Sequence, residues 1–232
     1  MKFNKNEFGW KEKVNINTNE LSDDVSIKNS LTVGSRLGDV GIYSVAEGYN
    51  TEASGDYSHA EGENTTASEY ASHAEGAGTT ASGEMSHAEG DGSIASDYAS
   101  HAEGGLTIAS GYYTHTEGYN TTASGYASHA EGDRTIASSE NQHVQGKLNI
   151  EDTENKYAHI VGNGTSNTAR SNAHTLDWNG NAWYKGELYT GGTSQSDANK
   201  VLTTANISFN ESGELVVTLN GVSKTFVPKH PE

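Results

Sequence analysis

The chain has no cysteine and only two prolines among its 232 residues. The first absence excludes disulfides, thiolate metal centres and a cysteine nucleophile. Large apolar residues are also scarce: leucine, isoleucine, valine and phenylalanine number 35, about 15% of the chain. Below roughly 20%, and with high net charge, composition alone reads as disorder. The formal charge is −17, from 31 acids and 14 bases, so the surplus of Lys and Arg that phosphate binding requires is missing and a nucleic-acid partner is not expected. No stretch approaches the ~20 apolar residues of a membrane helix, so no membrane insertion is expected. The polar start, MKFNKNEFGWKEK, lacks the apolar segment of a secretion signal.

What the chain does have is a repeat. His59, His73, His87, His101, His115, His129 and His143 follow one another at intervals of fourteen without a slip. Each sits second in a pentad, SHAEG at 58, 72, 86, 100 and 128, THTEG at 114 and QHVQG at 142. A second block, Thr65-Thr66-Ala67-Ser68 and its equivalents to Thr135-Ile136-Ala137-Ser138, recurs in the same phase. Fourteen residues accommodate two short strands and two tight turns. Side chains alternate faces along a strand, so Ser and Ala of the pentad point one way and His and Glu the other. The Ser/Ala face and the Thr…Ala face of the second block carry only small residues, which suits a very narrow coil. Glycines supply turns, and successive coils pair ~4.8 Å apart. The expected fold is all-β, a parallel β-solenoid stabilised by neighbour stacking. Disorder, the alternative that composition offered, does not demand a faultless phase.

The phase extends outward. Ser30-Leu31-Thr32-Val33-Gly34 and Ser44-Val45-Ala46-Glu47-Gly48 precede the first pentad. Ala158-His159-Ile160-Val161-Gly162 follows after a two-residue insertion, and Ala173-His174-Thr175-Leu176-Asp177 one residue late. Eleven coils over 30–178 are therefore expected, a rod of roughly 50 Å. The large outward positions take apolar residues at both ends (Leu31/Val33 at one, Val161 and Leu176 beside His159 and His174 at the other) and are ionisable in the middle. A slot that accepts such pairs is expected to be partly buried, and the thin interior cannot hold it. This predicts homo-oligomerisation through that face, most simply a trimer. His59, Glu61, His73, Glu75, His87, Glu89, His101, Glu103, His115, Glu117, His129, Glu131 and His143 would then form a ladder at the trimer axis. Imidazoles beside carboxylates are expected to have raised pKa values, with stability fading as pH rises through them. His and Glu are competent metal ligands, but no coil is singled out and a hydrogen-bonded array explains the repetition equally well. No metal and no cofactor are assigned.

The charge is concentrated in the repeat: residues 44–145 hold 16 acids and one base, Arg134. Seven of these acids are slot glutamates, Glu47 to Glu131.

The fourteen-residue S-x-A-x-G pattern, closest in Ser30-Leu31-Thr32-Val33-Gly34, resembles the head of trimeric autotransporter adhesins, the YadA-like left-handed parallel β-roll. The SHAEG variant, with Ala158–Gly164 and Arg170–Trp183 after it, also looks like phage and prophage tail-fibre or receptor-binding proteins. The resemblance implies a homotrimer, a left-handed roll and surface attachment. The two settings differ in what they need. An autotransporter uses a signal peptide and C-terminal membrane strands; a virion protein needs neither. The start MKFNKNEF and the end VPKHPE thus favour a virion tail with other tail or baseplate proteins as partners, with the bacterial cell surface as the alternative.

The ends are less regular. Residues 1–29, with Val14-Asn15-Ile16 and Val25-Ser26-Ile27, read as a cap or attachment segment. Residues 179–232 read as a tip: an alternating strand from Ala182 to Tyr189, a short helix over Ser196–Leu202, and a meander of Ile207–Phe209, Glu214–Leu219 and Val222–Val227 with Asn220-Gly221 as a hairpin turn. Trp178, Trp183, Tyr184 and Tyr189 are candidate contacts to a bacterial surface glycan or protein receptor. The competing reading makes them the core of a widened roll. No nucleophile elbow, P-loop or zinc HExxH occurs, and equivalent residues in every coil do not make a glycosidase cleft. The chain is expected not to be an enzyme. A spacer rod is a further alternative.

Overall fold

In the computed structural model, residues 31–36, 40–186, 189–190, 199–200, 207–210, 215–219 and 222–226 are described. The expectations for 1–29, including a cap, lie outside them, as do the turns at 211–213 and 220–221. All elements among the described residues are strands.

Two parallel ladders build a β-solenoid with fourteen-residue coils. The first ladder stacks ten strands, beginning with Leu31–Arg36, Val45–Ala53 and His59–Glu63 and ending with His129–Asp133, His143–Lys147 and Tyr157–Asn163. Register is set by the repeat: His59 pairs with His73, Ala60 with Ala74 and Glu61 with Glu75. The second ladder is narrower, running from Glu52 and Ala53 through Thr66–Ala67 to Ile136–Ala137.

The interior is as small as the sequence requires. Ala46, Ala60, Ala74, Ala88, Ala102 and Ala130 on one wall face Ala53, Ala67, Ala81, Ala95, Ala109, Ala123 and Ala137 on the other, all with no exposed surface. The pentad serine is buried because it closes its own turn. Ser58 Oγ donates to Gly55 O at 2.6 Å, and Ser86 Oγ to Gly83 O at 2.6 Å. A buried hydroxyl without such a partner would be costly. Thr114 does the same on Gly111 O at 2.7 Å, which explains why threonine can replace serine there.

The roll widens towards its far end. Where earlier coils have Ala and Ser, later ones bury Val144, Leu148 and Ile160, with Gln142, Asn149 and Asp152. Asn149 closes the second ladder: its amide accepts from Ile136 N at 2.8 Å and donates to Ile136 O at 2.9 Å, standing in for a strand. The two-residue insertion before Ala158 is organised by Asp152, whose Oδ2 accepts from Tyr157 N at 2.8 Å, Lys156 N at 2.9 Å and Gln142 Nε2 at 3.0 Å.

Two expectations are corrected. The eleventh coil is not a coil: Asn172–Asp177 pairs antiparallel with Tyr157–Asn163, Ile160 opposite Thr175 and Val161 opposite His174. The motif there ends in Asp177, not the glycine that turns every earlier pentad. The chain also arrives through a hairpin, closed by Asn163 N donating to Ser171 O. The short helix is not formed over Asn199–Lys200, which pair antiparallel with Tyr189–Thr190; the rest of that segment lies outside the described residues. The meander is present as expected, Ile207–Phe209, Leu215–Leu219 and Val222–Phe226 in antiparallel order.

Candidate functional site

The outward face of the first ladder carries the His/Glu array. Alternation leaves every slot His and Glu from 59 to 143 half-buried while the alanines between them are fully enclosed. From His59 to His143 the imidazoles stack in one column, ring centroids 4.7–4.8 Å apart and planes within 19° of parallel. The column outlasts the parallel coils. His159 follows His143 at 5.3 Å, His174 follows His159 at 5.5 Å, and Tyr184 follows His174 at 4.5 Å. The antiparallel strand therefore keeps His174 in the slot despite its reversed direction.

From His87 to His143, each histidine reaches back to the glutamate of the preceding coil. Nε2 lies 3.9 Å from the carboxylate for His87–Glu75, 3.5 Å for His101–Glu89, 3.3 Å for His115–Glu103, 3.6 Å for His129–Glu117 and 3.5 Å for His143–Glu131. Only the His115–Glu103 contact has hydrogen-bond geometry. Nε2 of His73, His87, His101, His129 and His143 is buried and without a hydrogen-bond partner.

Protonation runs opposite to expectation. His73, His87, His129 and His159 have pKa values below the usual 6.5, first because burial penalises the charged ring and second because neighbouring imidazoles repel it; for the first three, glutamates oppose the shift without overcoming it. Carboxylate partners are visible in a sequence, but the stacking of like rings and the loss of hydration are not. A depressed histidine pKa means that the unfolded chain binds protons more readily. The stabilisation is complete above the unfolded value and is lost as pH falls through it, the reverse of the expected linkage.

The ladder also gathers metal-competent groups. Glu47–His59–Glu61, Glu61–His73–Glu75, Glu75–His87–Glu89, His101–Glu103–His115 and His129–Glu131–His143 each place three ligand atoms within 4.8 Å of one another.

The aromatic candidates lie at the far end. Trp178, Trp183 and Tyr184 are about half exposed; the widened core is filled by aliphatics and amides instead. Trp178 Nε1 donates to Asn155 Oδ1 at 3.2 Å. Ala182–Tyr184 pairs with the preceding strand, Trp183 opposite Thr175 and Tyr184 opposite His174. Alternation sends Tyr184 onto the histidine column, while Trp183 and Lys185 line a groove of about 520 Å³ with Lys156, Tyr157 and Asp177. The backbone of Tyr189 pairs with Lys200; its side chain lies outside the described residues. Trp183 and Tyr184 thus face opposite sides of their strand and do not share one site.

Sequence reasoning missed a tyrosine stripe along one corner. Tyr43, Tyr57 and Tyr70, then Tyr112, Tyr113 and Tyr126, are exposed, Tyr98 is half-buried among them, and they touch ring to ring, as in Tyr43–Tyr57 at 5.2 Å and Tyr113–Tyr126 at 5.7 Å. The signal was present: these tyrosines fall one or two places before the pentad serine or threonine. Tyr43, Tyr57 and Tyr113 have φ near +60°, a corner conformation that alternation along a strand does not forecast.

None of the curated proteins matches this chain. The model of the YadA head domain repeat matches residues 40–58, 74–96 and 117–138, so over these coils the chain is similar to the heads of YadA-like adhesins.

Proposed function

We propose that this chain is a non-enzymatic attachment module, the left-handed β-roll head of a trimeric adhesin displayed on the bacterial cell surface, which binds a glycan or protein on its target. The observation that carries this reading is that the YadA head repeat matches coils of the roll at 40–58, 74–96 and 117–138, which include His87 and His129 of the His/Glu ladder. Two features of the fold support it. The ladder face is continuous and half-buried in the isolated chain, with Val45 at one end and Val161 and Leu176 at the other. Three copies packed by that face would close around a three-fold axis. The exposed Trp178 and Trp183 lie beyond the repeat, where they leave the rod surface free for packing. Assignment to a virion tail rests on residues 158–183 and on the two ends of the sequence, and the matched segments include none of these; tail and baseplate partners therefore have no comparable support.

The test has two parts. The solution mass should be three times 24.6 kDa, and a monomer overturns the axis. Protein immobilised on beads should bind cells or extracellular matrix, and Trp183→Ala should abolish that binding while the trimer persists. Wild-type trimer that adheres to nothing would make the chain a spacer rod.

A further inference from the structure

A direct charge-assisted N–H···O contact runs ~2.7–2.9 Å. Most rungs of the ladder exceed this by more than half an ångström: 3.5 Å for His101–Glu89 and 3.6 Å for His129–Glu117. Two ligands each ~2.1 Å from a shared zinc and subtending a tetrahedral angle stand ~3.4 Å apart. The observed separations therefore suit an ion between the groups better than a proton.

Ring orientation decides which groups can share an ion. A metal must lie in the imidazole plane, on the Nε2 lone pair. Stacked rings 4.7 Å apart and 4–9° from parallel, as in His87–His101 and His101–His115, cannot both point at one ion without swinging. His59, His73, His87, His101 and His129 each stand between two carboxylates, their own coil's and the preceding coil's. His101 has Glu89 at 3.5 Å and Glu103 within 4.8 Å. His73 has Glu75 at 4.0 Å and Glu61 in the same cluster. The buried Nε2 of both rings lacks any hydrogen-bond partner, so a ligand lone pair is available without breaking a bond.

We propose that the outward ladder is a linear array of divalent transition-metal sites of the zinc type, each built from one histidine Nε2 and the two glutamates flanking it on the same and the preceding coil. The set of one imidazole and two carboxylates suits a borderline cation. The remaining positions are open to water or to a neighbouring copy. Because consecutive sites share a glutamate, as Glu75 is shared by His73 and His87, neighbouring ions would lie one coil spacing apart and repel. Occupancy is therefore expected on alternate rungs, fewer ions than histidines.

The test uses the untagged full chain, stripped with chelator, loaded with zinc, dialysed against metal-free buffer and assayed by elemental analysis. Several zinc ions per chain should be retained, released by EDTA, and the melting temperature should rise on loading. His73→Gln/His87→Gln/His101→Gln should retain fewer ions than wild type. Glu75→Gln/Glu89→Gln, which leaves every histidine in place, should do the same, and circular dichroism should show both variants folded. Zinc lost entirely in dialysis overturns the proposal and leaves a hydrogen-bonded array. Retention unchanged in both folded variants overturns it too, because the ions would then sit elsewhere. Neither readout depends on adhesion.

Discussion

Gly90 lies directly beneath the carbonyl oxygen of Gly104 on the next coil, so close that a Cβ at Gly90 would overlap it. Its φ of +100° lies in territory that L side chains rarely adopt. The same relation recurs from Gly48 to Gly146, which explains the fifth residue of the pentad. Gly78 differs: its φ is +65°, the nearest backbone atom to an added Cβ is 3.9 Å away, and Asn64 and Asn120 hold the equivalent place at φ near +55°. Gly90→Ala should therefore cost about 3 kcal/mol, strain and overlap together. Gly78→Asn should stay within about 0.5 kcal/mol. Denaturant melts of the two variants against wild type provide the measurement, and equal losses would contradict this account.

Interior width makes the next prediction. Ala88 is fully enclosed between two walls that carry only small residues. Ala88→Leu should destabilise by about 3 kcal/mol, the upper end of overpacking costs. Val144→Leu, in the widened end beside Ile160, adds one methylene where Ala88→Leu adds three and should cost about 1 kcal/mol, the lower end of that range. Thermal melts would separate them.

These two predictions rest on features that the sequence discloses: period, alternation and the small interior follow from side-chain size and phase. Other features were hidden for identifiable reasons. Ala173–Asp177 mimics a coil in its apolar spacing, but Asp177 cannot take the glycine conformation that returns the chain, and the strand runs antiparallel instead. The insertion before Ala158 is legible as two extra residues; that a buried Asp152 carboxylate would gather their backbone N–H groups is not. For the ladder, the partners are legible in the sequence but neither the burial of the rings nor their stacking is, and those reverse the sign of the pKa shift at His73, His87, His129 and His159.

That reversal is measurable. In metal-free protein held in chelator, His73, His87, His129 and His159 resist protonation in the fold, while in the unfolded chain they titrate near the ordinary value of about 6.5. Stability should be greatest above that value and decline as pH falls through it. The melting temperature at about pH 5 should thus lie below that at about pH 7.5, a window that brackets the unfolded histidine titration. A melting temperature that rises on acidification would mean that the glutamates dominate after all.

Asp152 is the single most connected carboxylate of the described residues. Its Oδ2 takes three donors, from Gln142, Lys156 and Tyr157, and its Oδ1 takes Glu154 N at 3.2 Å. Its own carbonyl accepts from Ser139 Oγ and, at 2.9 Å, from Ser138 Oγ. Both Asp152 and Gln142 are buried, so Asp152→Ala leaves an amide and three backbone N–H groups to find partners where water is scarce. A loss of about 3 kcal/mol is expected, since each orphaned buried donor costs roughly 1–3 kcal/mol and relaxation recovers part of it. Asp152→Asn keeps one acceptor oxygen and should cost about half as much, because its amide nitrogen must face at least one donor. The damage should be local. Hydrogen exchange should accelerate over 150–163, where the insertion is pinned, and remain slow over 59–133, where each coil is held by its neighbours on both sides. Uniform acceleration would mean that the roll unfolds as one unit and that Asp152 holds more than its own corner.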